Sequence, residues 1–72
     1  MPANYVIVLE SEQRSMRKDD VEFADDLQAL VTARRIFVEE LVVNAARPLC
    51  VCLGRTHADG EVAWLNSWKV GY

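Results

Sequence analysis

The first apolar segment of the chain covers residues 5–9, with the sequence YVIVL. It is rich in β-branched residues, and apolar and polar positions do not alternate along it. This pattern is typical of a strand that is covered on both sides or that lies centrally in a small sheet. We therefore predict the first strand here.

The segment that follows, residues 10–20, is polar, and Met16 is its only apolar member. We predict that it forms a long mobile loop between strands. Apolar and polar residues then alternate over residues 21–23. This alternation predicts a short second strand, with Val21 and Phe23 facing inward.

A helix is predicted to begin after Asp25, which is a good N-cap residue. Gln28, three positions later, completes a pair that resembles a capping box. The helix should end near Asn44 and before Pro48, because the residue before a proline avoids the α region. The apolar residues that we expect to face the sheet recur with a helical period: Leu27, Leu30, Val31, Phe37, Val38, Leu41 and Val42.

The last third of the chain predicts a β-hairpin, with strands over residues 49–53 and 61–70. The polar turn between them contains Asp59 and Gly60, and glycine accepts the positive φ that such turns require. The element order is therefore strand, strand, helix, strand, strand. We expect an α+β fold in which residues 1–72 form one small domain, with one amphipathic helix packed on a mostly antiparallel four-stranded sheet.

A chain of 72 residues buries only a modest core, worth roughly 3–5 kcal/mol of net stability. The hydrophobic fraction of 51% and the charged fraction of 26% favour a folded globule over disorder. Because domains of this size often gain stability from a partner subunit, we expect a homodimer or a complex with another protein. The net charge of −3 argues against binding to nucleic acid, which needs a basic surface.

No stretch approaches the roughly 20 apolar residues that cross a bilayer. The first residues lack the basic start and apolar core of a signal peptide. Two cysteines that are not placed to pair with each other fit a reducing compartment. We expect a cytoplasmic protein that makes no contact with a membrane.

Arg34 falls near the middle of the predicted apolar stripe. A guanidinium group at such a position must reach water along its own stem or meet a carboxylate, because an unpaired buried charge costs several kcal/mol. Alternatively, Arg34 could bind an anion at the base of a groove. The sequence leaves both interpretations open.

A second apolar strip is expected on the other side of the helix, formed by Ile36 and Val43 with Ala29 and Ala33. A helix that packs on one sheet does not need it. Exposed aliphatic residues in a row suggest contact with another chain, although isolated exposed apolar residues are normal. Ile36 and Val43 are therefore candidate interaction residues.

Trp64 and Trp68 are four positions apart on one predicted strand, so we expect them to face the same way. If that face lies under the helix, both indoles belong to the core. If Ala63 and Leu65 face the core instead, the two rings form an exposed aromatic platform. Such platforms supply binding energy at protein interfaces and can also stack on bases.

Cys50, Cys52 and His57 are the residues that raise the question of metal binding or catalysis. Structural zinc sites use four ligands, usually with two to four residues between paired cysteines, whereas one residue separates these two. His57 is expected in the hairpin turn, several residues from either thiol, so no nucleophile and base are paired. No glycine-rich phosphate loop is present. We expect no metal, no cofactor and no enzymatic activity.

The order of elements resembles that of small bacterial and phage ββαββ proteins. The elements that carry this resemblance are the strands at residues 5–8 and 21–23, one amphipathic helix and a final hairpin that contains the tryptophans. Some of these are phage-encoded inhibitors, including certain anti-CRISPR proteins. The resemblance spans most of the chain and consists of element order, and no family motif is matched residue by residue. Because it consists of element order, no functional residue is carried over from these proteins to this chain.

We interpret the chain as a small non-enzymatic protein-interaction module that self-associates and acts by occupying a partner surface, as a bacterial or phage regulator or inhibitor would. The candidate contact residues are Arg34, Ile36, Val43, Trp64 and Trp68. The alternative is a nucleic-acid-associated regulator that uses cations within residues 14–18 as phosphate contacts. Those cations stand among acidic residues, which weakens this alternative.

Overall fold

A four-stranded antiparallel sheet and one helix make up the computed structural model, which describes residues 3–45 and 47–71. The elements follow in the order β1, β2, α1, β3 and β4. Their bounds are Ala3–Ser11 for β1, Ser15–Phe23 for β2, Asp26–Val43 for α1, Leu49–Thr56 for β3 and Val62–Val70 for β4. The strand order in the sheet is β2-β1-β3-β4. The predicted α+β fold is confirmed.

The core lies between α1 and the two central strands, β1 and β3. Every second residue of these strands faces the helix and is fully or almost fully buried: Tyr5, Ile7, Leu9, Leu49, Val51 and Leu53. The helix contributes Ala29 and Ala33, which are also completely buried. The prediction that the YVIVL run forms a central strand is therefore correct.

Strand β2 extends much further than predicted, and the expected long loop over residues 10–20 is wrong. Met16 pairs with Leu9, and its side chain packs against the core. The sequence misleads here because an edge strand that faces water needs few apolar side chains when its backbone is paired on one side. The charges also have a role, since charged residues and bulges protect edge strands from pairing with other chains. The pairing with β1 shifts register, and Asp20 near the shift has a φ of 57°.

The start of α1 agrees with the sequence. Asp25 is the N-cap, and its Oδ1 accepts a hydrogen bond from the Gln28 backbone N–H at 2.8 Å. The Gln28 side chain reaches back and accepts from the Ala24 backbone N–H at 2.8 Å, one residue before the cap. The helix ends at Val43, with Asn44 as its C-cap.

The predicted orientation of α1 is wrong for four of the seven apolar residues that were expected to face the sheet. Four residues expected to face the sheet are exposed: Leu27, Val31, Val38 and Val42. The strip assigned to the opposite side instead supplies the buried Ala29 and Ala33, and Ile36 packs against the core. The two alanines allow the helix to approach the sheet closely, with larger side chains such as Phe37 packing beside them. Val43 alone of that strip is exposed, at 76%.

Glu40 also lies on the buried side of the helix. It contributed to the wrong orientation predicted for α1, because a glutamate normally marks a solvent-facing position. Its side chain accepts hydrogen bonds from Arg14 Nη2 and, at 2.9 Å, from Asn44 Nδ2. Arg14 lies in the turn between β1 and β2, so the ion pair ties this hairpin to the C-terminal half of the helix. A buried carboxylate is tolerated when it is paired in this way.

Candidate functional site

The side of the sheet away from α1 is here called the open face, because no described helix or strand lies over it. Residues on it alternate with the core residues of β1 and β3, and on β1 they include Val6, Val8 and Glu10. Cys50 and Cys52 lie beside them on β3, and the register places Lys69 of β4 next to Cys50. Among the apolar residues of this face, Val6 is buried and Val8, Cys50 and Cys52 are partly exposed.

Trp64 lies on the open face, and Trp68 does not. A shift in the pairing of β3 with β4 makes Gly54 the partner of Trp64 while Leu53 pairs with Asn66. Leu65 is the extra residue, so the alternation reverses between the two tryptophans. The prediction that they face the same way is therefore wrong. Trp68 packs against the core, and Trp64 is 55% exposed.

The absence of a side chain at Gly54 leaves the space that the Val62 and Trp64 side chains occupy. A Cβ atom at Gly54 would come within 2.9 Å of Trp64 Cε3 and would clash with Val62 Cγ1. Trp64 also borders a shallow depression of about 250 Å³ on the open face. The other residues that line it are Val8, Glu10, Arg17, Cys50 and Cys52. An exposed indole beside an apolar depression is typical of a protein-binding surface.

The two cysteines face the same side of β3, with their Sγ atoms 3.5 Å apart, and both are free thiols. Burial raises the pKa of the Cys52 thiol, and its hydrogen bond with Cys50 raises it further. A raised pKa lowers the thiolate fraction near neutral pH, and the thiolate is the reactive form. The raised pKa therefore makes the Cys52 thiol less reactive near neutral pH than an ordinary cysteine.

The outer face of α1 is a second apolar surface. Leu27, Val31, Val38 and Val42 are exposed by 70%, 52%, 43% and 73%. Arg34 lies among them, as the helical spacing predicts, although the stripe points to solvent rather than to the sheet. Arg34 and Arg35 line a shallow groove with Val31 and Val38.

The five candidate contact residues thus fall in different places. Arg34 belongs to the outer face of α1, and Trp64 belongs to the open face. Ile36 and Trp68 pack against the core, so neither forms the exposed contact that their positions in the sequence suggested. Val43 is exposed near the end of the helix.

A partly exposed polar cluster, in which Tyr5 is buried while the Asp26 and Arg55 side chains are each 46% exposed, was not anticipated from the sequence. The hydroxyl of Tyr5, a fully buried residue, donates to Asp26 Oδ1 at 2.5 Å, and Arg55 Nη1 donates to the same oxygen at 3.2 Å. The Tyr5 ring also makes an edge-to-face contact with Phe23, with a centroid separation of 5.5 Å. The cluster joins β1 and β3 to the first turn of α1.

The Tyr5–Asp26 hydrogen bond makes the stability of the fold sensitive to pH in the alkaline range. This bond raises the pKa of the Tyr5 phenol above its ordinary value of 10.0, and burial adds to the effect. The folded state therefore holds the phenolic proton more tightly than the unfolded state does. We expect the free energy of unfolding to fall as the pH rises above 10 towards the folded-state pKa.

Urea unfolding of the wild type and of Tyr5→Phe between about pH 8 and pH 11 measures this effect. Tyr5→Phe should be less stable at neutral pH by about 1 kcal/mol, because the hydrogen bond is lost. The difference between the two proteins should shrink above pH 10. A difference that stays constant over the whole range would contradict the assignment.

The cations considered for nucleic-acid contact are mostly paired with acids. Arg14 pairs with Glu40, and Arg17 Nη2 lies 3.2 Å from Asp19 Oδ1. Lys18 is exposed on edge strand β2. Pairing with carboxylates reduces what these arginines can offer to phosphates, so the arrangement does not favour nucleic-acid binding.

Comparison with family models, with curated proteins and with solved structures found no match to this chain. Its function must therefore be argued from its own surfaces. Within residues 3–45 and 47–71, no three His, Cys, Asp or Glu side chains come together in a way that could hold a metal ion. The helix in this part of the chain is not long and apolar enough to cross a bilayer.

Proposed function

We propose that the protein is a non-enzymatic interaction module that self-associates through the open face and acts by occupying the surface of a partner protein. The observation that carries this proposal is the apolar character of both sides of β1 and β3 over residues 5–9 and 49–53. An antiparallel sheet with one solvated face normally alternates apolar and polar residues. These two strands do not alternate, yet α1 covers only one side of them.

A second copy of the chain is the occupant that suits the open face best. Two sheets can pack face to face at a separation of about 10 Å and bury the residues between them. A symmetric contact also supplies the additional buried surface that a domain of this size needs. The exposed indole of Trp64 would then become covered.

The charges on the open face are arranged so that a two-fold axis can pair them. Glu10, Cys50 and Lys69 are neighbours in one row across the sheet, with the acid and the base at opposite ends. A two-fold axis parallel to β3 exchanges the two ends of this row. Glu10 of each copy then lies opposite Lys69 of the other, and the cysteines face their counterparts.

Sedimentation velocity over a hundredfold range of concentration tests this arrangement. We expect the wild type to form a dimer. Glu10→Lys should raise the dissociation constant about tenfold or more, because lysines then face each other across the contact. The side chains at positions 10 and 69 lie at the surface, so folding should be unaffected.

The charge-swapped double variant Glu10→Lys/Lys69→Glu is the matched control, and it should restore the dimer by reversing both ion pairs. A protein that stays monomeric at all concentrations would overturn the proposed self-association. A dimer that Glu10→Lys leaves unchanged would show that the contact lies on another surface.

A further inference from the structure

We infer that the outer face of α1 is a docking surface for an amphipathic helix of another protein, one that carries a carboxylate between its aliphatic residues. This surface is separate from the open face, so the inference does not depend on the proposed self-association. It identifies the partner by its chemistry, as a helix with acidic and aliphatic residues on one side.

The shape of the surface favours a helix as the occupant. Its exposed apolar residues recur at intervals of four, seven and four along α1: Leu27, Val31, Val38 and Val42. Arg34 fills the position between Val31 and Val38. Rows of side chains with this spacing form the ridges and grooves into which a second helix packs, and helix-in-groove recognition uses anchors with the same periodicity.

The charge of the surface indicates what the partner helix must carry. Arg34 and Arg35 line the groove between Val31 and Val38. The ion pairs found in residues 3–45 and 47–71 use Arg14, Arg17 and Arg55, and none of them involves Arg34 or Arg35. A partner that covers the valines must also cover the guanidinium groups, and covering them without a carboxylate is costly. Arginine and carboxylate can form two parallel hydrogen bonds, which adds specificity.

A second copy of this chain is a poor occupant for the same reason. Arg34 lies midway between Leu27 and Val42, so a two-fold axis through the centre of the surface would bring two Arg34 side chains together. The apolar row itself contains no acidic residue to separate them. An anionic membrane is also less suitable, because interfacial helices carry many basic residues and large apolar anchors, whereas this surface has two arginines and mostly valines.

Titration with a synthetic helical peptide tests the inference. The probe is an 18-residue peptide with leucines in an i, i+4, i+7, i+11 pattern and one glutamate at the centre of the leucine face. Its matched control has lysine in place of that glutamate. We expect the glutamate peptide to bind, as measured by fluorescence anisotropy, and the lysine peptide to bind at least about tenfold more weakly.

Two variants of the protein locate the binding site. Arg34→Glu should reverse the preference, so that the lysine peptide binds more tightly than the glutamate peptide. Val38→Asp should abolish binding of both peptides while the circular dichroism spectrum and melting temperature stay unchanged. Repeating the titration with Glu10→Lys separates the two surfaces, because loss of the dimer should leave peptide binding intact.

Three results would overturn the inference. The first is no binding of the glutamate peptide at millimolar concentration, and the second is equal binding of both peptides to the wild type. The third is binding of the wild-type protein to phosphatidylserine-containing vesicles, with that binding lost in Val38→Asp. This result would show that the outer face of α1 contacts a membrane.

Discussion

Replacing Leu9 with alanine is expected to lower the free energy of unfolding by about 2–5 kcal/mol. Leu9 is completely buried between the sheet and α1. Its truncation removes apolar contacts and leaves a cavity that the closely packed helix cannot fill. Because the net stability of so small a domain is only a few kcal/mol, the variant should be largely unfolded at 37 °C. Urea or thermal denaturation followed by circular dichroism measures the change.

Leu27→Ala is the matched control, since it makes the same chemical change on a residue that is 70% exposed. Its stability should stay within about 0.5 kcal/mol of the wild type. If Leu27→Ala instead lowered the free energy of unfolding as much as Leu9→Ala, the side of α1 that carries Leu27 would have to face the sheet.

Replacing Ala33 with leucine is expected to destabilise the protein by about 1–3 kcal/mol, because the larger side chain overpacks the core. Ala33 is completely buried where α1 approaches the sheet. The added atoms must push the helix away from β1 and β3 or force neighbouring side chains out of their preferred rotamers. Chemical denaturation, with the midpoint and slope both recorded, measures the loss.

Val31→Leu enlarges an aliphatic side chain on the opposite face of the same helix and serves as the comparison. Val31 is 52% exposed, so the change should be within about 0.5 kcal/mol. An Ala33→Leu variant as stable as Val31→Leu would show that the helix does not pack closely at Ala33.

The parts of the fold that followed from sequence are those fixed by local chemistry. Asp25 ends the extended segment and caps α1 because its carboxylate can accept from the Gln28 backbone N–H. Gly60 adopts the positive φ, 89°, that the turn before β4 requires. The order ββαββ follows from such local signals together with the apolar runs.

The orientation of α1 could not be read from the apolar pattern, because both sides of the helix carry apolar residues. The inward side is selected by the small size of Ala29 and Ala33, which lets the helix approach the sheet. It also depends on a partner for Glu40, and that partner, Arg14, is 26 residues away in the chain. Neither property is visible in the spacing of large apolar side chains.

The candidate surfaces were only partly predictable for a similar reason. The missing alternation in YVIVL predicted a strand that is covered on both sides or lies centrally, and it did not identify the open face. The placement of Trp64 depends on the extra residue Leu65 in β4, and a single inserted residue reverses the two faces of a strand. Arg34 was singled out correctly as a charge among apolar residues, but the stripe around it points to solvent.

Gly54 limits which amino-acid changes the chain can accumulate. The space that a side chain would need there is already taken by Val62 and Trp64. An alanine or larger residue at position 54 can be accommodated only if both of these neighbours move or become smaller. Positions 54, 62 and 64 therefore form a coupled set, and a change from glycine to a larger residue would have to follow changes at Val62 and Trp64 rather than precede them.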